Sequence, residues 1–332
     1  MLLHEDLWIQ AAADAAAKGG SGYDFQPPFA DVAREIAAAD VSICHLETPL
    51  GNPRGPFTGY PSFTVPPQIA VALRGSGYDT CSTASNHALD AGAAGVYHTL
   101  DVLDRAGLRH SGSYRSSAEQ RTPTILEVRG VRIAHLAYTY GFNGLPRPAG
   151  KPWIANLIDP VRILADVHRV RATGAEIVVV SLHWGNEYDH RPSAAQIALT
   201  ERLMTTPGID LILGSHAHVV QPIQKINTGW VAYGMGNHLA RQADGYPSRQ
   251  EGIMPRFTFT EVQPNRWEVP KVEVIPTWIE FAPRVRIVNL SDAYRNPAVP
   301  TGQRALYRAA RTRIATYVRP PDGRRSGLVV VT

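Results

Sequence analysis

The stretch GIDLILGSHAHVVQP, Gly208 to Pro222, decides how the rest of the chain is read. An apolar run stops abruptly at two histidines, His216 and His218, one residue apart. The run reads as a buried β-strand. In an extended chain residues i and i+2 point the same way, so both imidazoles would leave the strand end on one side. That suits a metal site. A pair of surface histidines on a loop is the plainer alternative.

Three more strand ends repeat the pattern. VSICHLE ends in Glu47, YDTCSTASNH in Asn86 and His87, and AEIVVVSLH in His183. In open α/β sheets, ligands collect beyond the carboxyl ends of the strands. A carboxylate, an amide and several imidazoles converging there form a ligand set for one or two divalent ions. Each has an ordinary reading alone: a solvated glutamate, a turn, a core histidine bonded to a carbonyl. Four such ends in one chain argue for a shared centre.

Between these ends, strands alternate with helical patterns. PPFADVAREIAAAD, PPQIAVALRGSG and AAGVYHTLDVLDRAG read as helices, as do DPVRILADVHRVRATG with an Asp cap and SAAQIALTERLMTTPG with a Ser cap. TPTILEVRGVRIAHLAYTY reads as two strands about the turn Arg129-Gly130. From Gln221 to Phe281 the pattern is mostly β, and TGQRALYRAARTRIATYV closes as a helix. This order predicts a mixed α/β layered domain. Long loops at 51–66 and 141–158, rich in Gly, Pro and aromatics, are where substrate sites are usually built.

With 332 residues, 44% of them apolar and 19% charged, the chain can bury a sizeable core. Its net charge of +4 is spread without a basic stripe or a reader motif, which excludes a nucleic-acid partner and leaves an anionic small molecule or polymer. The two cysteines, Cys44 and Cys81, sit in apolar runs and read as small buried hydrophobes. No apolar stretch is long enough to span a membrane, and MLLHEDLWIQ does not read as a signal peptide. The chain as given is expected to be soluble.

HLETPLG, SNHALDAGAAGVYHTLDVLDRAGLRHSG, LHWGNEYDHRPSAAQIALTERLMTTPGIDLILGSHAHVVQP and VAYGMGNH together resemble the bacterial capsule synthesis protein CapA family, from about residue 28 to 240. The resemblance implies a link to poly-γ-glutamate capsule and a calcineurin-like metallophosphoesterase fold. That fold is an α/β/β/α sandwich with mixed sheets, here with its first strand missing. Residues 1–285 would form this domain, and 286–332 a C-terminal extension with a terminal helix packed on it. The resemblance also implies site roles. Glu47, Asn86, His183, His216 and His218 would hold metal, with His183 and His216 on one ion and His218 on the other. His87 would face the substrate and stabilise or protonate the leaving oxygen. Glu187 would orient an imidazole from behind, unless it is a solvated loop carboxylate.

Two departures stand out. His45 replaces the Asn of a family pattern Asn-Leu-Glu. Family members also open with a strand ending in Gly-Asp, whose Asp is a metal ligand, and this chain begins just after that place. Either the start lies further upstream, with a possible membrane anchor on the outer face, or the residue is lost; His4 and Asp6 are the nearest replacements, and His4 is a further site candidate.

The function expected is hydrolysis of a phosphoester or related anionic bond by two divalent ions, with Mn, Fe or Zn all suited to the ligand types. Arg191, Arg241 and Arg249 on nearby loops would grip the anionic substrate, unless they are ordinary surface arginines. The alternative is a non-catalytic component that binds anionic polymer within a polyglutamate synthesis or export machine, alongside capsule-synthesis membrane proteins. Cleavage of γ-glutamyl bonds would use the same centre.

Overall fold

The computed structural model describes residues 1–242, 245–320 and 327–330. Its helices are α1 (Glu5–Ala17), α2 (Ala33–Ala37), α3 (Ile69–Gly75), α4 (Gly92–Arg105), α5 (Ser117–Arg121), α6 (Pro160–Ala172), α7 (Ala194–Met204), α8 (Leu290–Ala293) and α9 (Thr301–Tyr317). The strands are β1 (Ile43–His45), β2 (Thr80–Ser82), β3 (Arg109–Ser111), β4 (Thr124–Val128), β5 (Val131–Thr139), β6 (Ile177–His183) and β7 (Leu211–Ser215). Then follow β8 (Ile223–Ile226), β9 (Gly229–Ala232), β10 (Glu251–Gln263), β11 (Arg266–Glu280), β12 (Arg286–Asn289) and β13 (Leu328–Val330).

Among the described residues these strands form three sheets. One is parallel, in the order β1-β2-β3. The second runs β4-β5-β6-β7-β9-β8, parallel through β5, β6, β7 and β9 and antiparallel at both edges. The third is the antiparallel set β10-β11-β12, with β13 parallel to β11.

Alternation along the strands stacks these sheets. Val178, Val180 and Leu182 of β6 pack with Ile163 and Val167 of α6 and Leu203 of α7. The opposite face of the same sheet offers Ile177, Val179, Leu211 and Leu213, which meet Val272, Val274 and Trp278 of β11. On the far side, α1 and α3 cover Cys44, Cys81, Ile279 and Ile287 with Leu7, Trp8, Ile69 and Leu73. The layers therefore run helix, sheet, sheet, helix, as the resemblance implies. Side chains 180° apart along a strand make this possible, since each strand serves two cores. Tyr307, Ala310 and Ile314 of α9 join the core between the sheets. A buried polar link also crosses the layers: Thr80 Oγ1 on β2 lies 3.2 Å from His135 Nδ1 on β5, whose Nε2 is 2.9 Å from Ser181 Oγ.

Local signals act as their chemistry dictates. Asp159 caps α6, its Oδ1 accepting from Val161 N (2.9 Å) and Arg162 N (3.3 Å). Ser193 and Gln196 form a reciprocal capping box on α7. Arg129 and Gly130, both at positive φ, turn β4 into β5.

Two readings need correction, and one helix had not been read. PPFADVAREIAAAD is not one helix: Pro27–Phe29 form a 3-10 turn and only Ala33–Ala37 are α-helical. Phe29, Ala30 and Val32 all donate to the residue three before them, a tighter winding than the α-helix. EDLWIQAAADAAA, to which the sequence analysis assigned no element, is α1; its Glu5 and Asp6 favour the helix start and its alanines the interior. Finally, Cys44 and Cys81 are buried as expected but are not two separate thiols. They face each other across β1 and β2 and form a disulfide, with Cα atoms 4.4 Å apart. No helix among the described residues is long and apolar enough to cross a membrane.

The disulfide closes 37 residues of chain, worth roughly 4 kcal/mol if it acts through the unfolded state. Unreduced, denatured protein should therefore titrate with no free thiol, and reduction should lower the unfolding temperature. Two reactive thiols in the unreduced sample would show that the bridge does not form in solution.

Candidate metal centre

The seam between the first two sheets gathers the polar strand ends. Glu47 lies just past β1, Asn86 in the loop after β2, His183 at the last position of β6, and His216 and His218 just past β7. All five are buried, at 8% exposure or less. The histidine pair does not reach the seam by strand alternation. His216 and His218 both have positive φ, 94° and 55°, so the chain after Ser215 is a left-handed turn rather than an extended strand. Such backbone is costly for residues with a Cβ and persists only where its surroundings hold it. Asn237 does so here: its Oδ1 lies 2.9 Å from His218 Nδ1 and its Nδ2 donates to His218 O (3.2 Å). His216 packs its ring against Tyr140 and His183, with centroids 4.6 and 4.7 Å away.

Two sets of potential ligand atoms come close. One atom each from Glu47, His183 and His216 lie within 4.8 Å of one another, and so do atoms from Glu187, His216 and His218. Glu47 Oε1 is 3.7 Å from both His183 Nε2 and His218 Nε2, and His218 Nε2 is 3.9 Å from Glu187 Oε1. Asn86 turns its Oδ1 toward His183 Nε2 (2.9 Å) because its Nδ2 donates to Asn143 Oδ1 (3.1 Å).

These groups fit a cation. Glu47 Oε1 and His216 Nδ1 are buried with no hydrogen-bond partner, which is unusual for atoms of this polarity. Burial pushes the His216 imidazole down to about 4 and that of His183 well below its usual value, so both offer lone pairs at neutral pH. Burial pushes the Glu47 carboxyl up, but positive charge around it, that of His218 foremost, pulls it down further, to below the usual range. An ionised carboxylate beside the neutral imidazoles of His183 and His216 is the composition of a divalent-metal site.

Behind His183 stands His45. Its Nε2 lies 3.0 Å from His183 Nδ1 and its Nδ1 lies 2.8 Å from Ser82 Oγ. Ser215 Oγ is also 3.2 Å from His183 Nδ1. These partners occupy Nδ1 and hold the ring with Nε2 toward Asn86 and Glu47, the usual job of a group behind a metal-binding histidine.

His87 is arranged differently. Its Nδ1 is 2.8 Å from Asp90 Oδ2, which also accepts from Phe63 N (2.7 Å). Phe63 meets the His87 ring edge-on at 4.8 Å and the His4 ring at 5.2 Å. With Nδ1 engaged by Asp90, Nε2 has no hydrogen-bond partner among the described residues. His4 faces the same region: its imidazole is lowered by burial, with His218, Glu47 and His87 among the charges acting on it. Asp6 instead pairs with Arg241 (3.1 Å). Glu187 is partly exposed and approaches the imidazoles directly, which is nearer a ligand's place than an orienting group's.

The three arginines separate. Arg191 is almost fully exposed beside Asp189, and Arg241 lies over Phe281. Arg249 stacks on Tyr188, whose ring in turn stacks on His218. Sequence reasoning passed over Asp90, Asn237 and the part played by His45. Asp90 had a signal, since NHALD places a carboxylate three residues after His87 in a turn. Asn237 stands in the motif VAYGMGNH, but its contact with His218 is visible only in space.

A family model described as "Bacterial capsule synthesis protein PGA_cap" matches residues 1–242. Capsule biosynthesis protein CapA of Bacillus anthracis is 31% identical over 179 residues, covering 53% of this chain and 43% of that protein. PGA biosynthesis protein CapA of Bacillus subtilis is 29% identical over 204 residues, covering 61% and 52%. The chain thus spans about half the length of these relatives. Among solved structures, a putative 5'-nucleotidase from Staphylococcus aureus aligns with a TM-score of 0.44 at 13% identity, over 74% of this chain and 44% of that one. The calcineurin-like phosphoesterase YfkN from Bacillus subtilis aligns with a TM-score of 0.36 at 16% identity, over 76% and 75%.

The geometry divides the histidines by the effect of removing them. His216→Ala and His218→Ala should each cut bound metal by more than the roughly 10–100-fold in affinity typical of groups behind a ligand. Full occupancy in both variants, by elemental analysis, would end the assignment. Asp90→Asn should leave metal content near that of the wild type and lower turnover by about 10²–10⁴-fold, the usual worth of a positioned proton carrier. Loss of metal in Asp90→Asn would place the His87–Asp90 pair among the ligands instead.

Proposed function

Since this chain belongs to the PGA_cap family of bacterial capsule synthesis proteins, we propose that it is a divalent-metal-dependent hydrolase of phosphoester-type bonds in capsule or poly-γ-glutamate synthesis. The observation that carries this reading is the pair of buried, unpartnered atoms, Glu47 Oε1 and His216 Nδ1, at the meeting point of three further imidazole and amide groups. A buried polar atom without a partner costs free energy that a bound cation recovers.

Glu47, Asn86, His183 and His216 would hold one ion, and His218 with Glu187 a second; the ions would supply positive charge to polarise the anionic bond and activate water. The chain's own residues do the rest. His45 and Ser215 fix the His183 ring, and Asn237 fixes that of His218. His87, with Nδ1 engaged by Asp90, presents Nε2 to the leaving oxygen and carries its proton. Tyr140, half exposed and nearly parallel to His183 at 6.1 Å, walls one side of the centre and limits water. Mn, Fe and Zn all suit this donor set. Membrane proteins of the capsule machinery are the proposed partners.

The test is direct. Protein stripped with chelator and reloaded with Mn should hydrolyse p-nitrophenyl phosphate or its bis-ester, with activity and metal content returning together and reaching two ions per chain. Two tightly held ions with no turnover above buffer on any phosphoester would instead favour a non-catalytic, polymer-binding accessory.

A further inference from the structure

Arg249 is held in an unusual way for a surface arginine. Its guanidinium carbon lies 3.8 Å from the Tyr188 ring centroid and 4.0 Å from that of Tyr246. No carboxylate pairs with it among the described residues. Arg241 and Arg191, by contrast, each have an aspartate within 3.5 Å.

The stack is tied to the candidate metal centre on two sides. Tyr188 N donates to Ala217 O (2.7 Å), between His216 and His218, and the Tyr188 ring lies 6.3 Å from that of His218 at 28°. Tyr188 OH donates to Gln242 Oε1 (2.8 Å), which fixes the ring's far end. On the other side, Asn237 Nδ2 donates both to His218 O and to Arg249 O (2.7 Å). One asparagine thus positions the imidazole and the backbone that carries the arginine. Aromatic rings stacked on a guanidinium cover its faces and leave its in-plane N–H donors free. Those donors match a carboxylate or phosphate in two-pronged geometry.

We propose that Arg249 is a second anion subsite. It takes a carboxylate or phosphate that the substrate carries about one aromatic ring's span from the group held at the imidazole cluster. The substrate class is therefore an ester with two separate anionic groups. This rests on the preceding reading only in placing the first anionic group at Glu47, His183, His216 and His218. Tyr188 and Tyr246 are positioning residues that hold the guanidinium against the ring that itself stacks on His218.

Two phosphonates that cannot be hydrolysed test this: phenylphosphonate, and 4-phosphonobenzoate with its added carboxylate. Each is titrated calorimetrically into the manganese-loaded full chain. The wild type should bind the carboxylated compound about 10–100-fold more tightly, the range of a hydrogen bond to a charged group. Arg249→Ala should bring the ratio of the two affinities close to one, and Arg249→Lys should retain part of it, because charge survives while the fork is lost. A wild type that shows no preference, or an Arg249→Ala variant that keeps it, overturns the proposal. Turnover is not read, so a chain that binds metal without hydrolysing phosphoesters still answers the question. Unfolding temperatures of both variants near that of the wild type identify a lost preference as local.

Discussion

A buried carboxylate with an unpartnered oxygen is the constraint around which this molecule is arranged. Glu47 is 3% exposed, and its Oε1 has two imidazole nitrogens at 3.7 Å but no hydrogen bond. Removing such a group from water costs several kcal/mol unless positive charge replaces the lost hydration. Of the imidazoles around it, those of His183 and His216 are themselves held neutral by burial. Protonating them is therefore an expensive solution, whereas a cation shared among carboxylate, imidazole and amide satisfies all of them together. The left-handed turn at His216 and His218, the side-chain clamp of Asn237 and the imidazole chain through His45 all follow from having to present lone pairs to one small volume.

Much of this was legible in the sequence because strand ends are local features. The apolar runs before His183 and His216 are long enough to identify as strands, and their register in a parallel sheet brings the ends together. The reason given for the histidine pair was nevertheless wrong. Alternation along a strand stops at Ser215, and the convergence comes from positive φ at two residues whose stability depends on tertiary contacts. The contact of Asn237 with His218 was unreadable for the same reason. The cysteines show the limit from another side: hydrophobic context predicts burial, but pairing depends on the register of β1 against β2, which no short window of sequence contains. Alanine-rich α1 carries a helical propensity that could have been read from its composition, while the broken helix at Pro27–Ala37 shows how paired prolines tighten a first turn.

The C-terminal third of the chain matters to the centre without supplying an imidazole to it. The family match ends at residue 242, yet β11 furnishes the apolar face on which the six-stranded sheet rests. At the end of α9 the Tyr317 ring stacks on His190 with centroids 3.5 Å apart, and His190 Nδ1 lies 2.8 Å from Val220 O. The loop carrying Glu187 and Tyr188 is thereby held at its far end by an element distant in sequence. Glu251, 0% exposed, is met by Arg313 of the same helix (Nε to Oε1, 2.7 Å), a second tie between α9 and the layer beside the centre.

Glu47 and Asn86 come from the sheet β1-β2-β3, while His183, His216 and His218 come from the six-stranded sheet. The centre is thus divided between two layers that touch through apolar packing and through polar links, among them His135 between Thr80 and Ser181 and His45 against His183. Apolar cores tolerate repacking, and repacking lets layers slide. A slip of one residue along a strand, about 3.3 Å, would exceed the tolerance of any metal bond and scatter the five groups. Loops that carry none of these groups can therefore lengthen, shorten and change charge over evolutionary time at little cost to the centre. The alignment of the two sheets cannot drift in that way, and His135, which supplies no group to the centre, is one of the side chains that hold it.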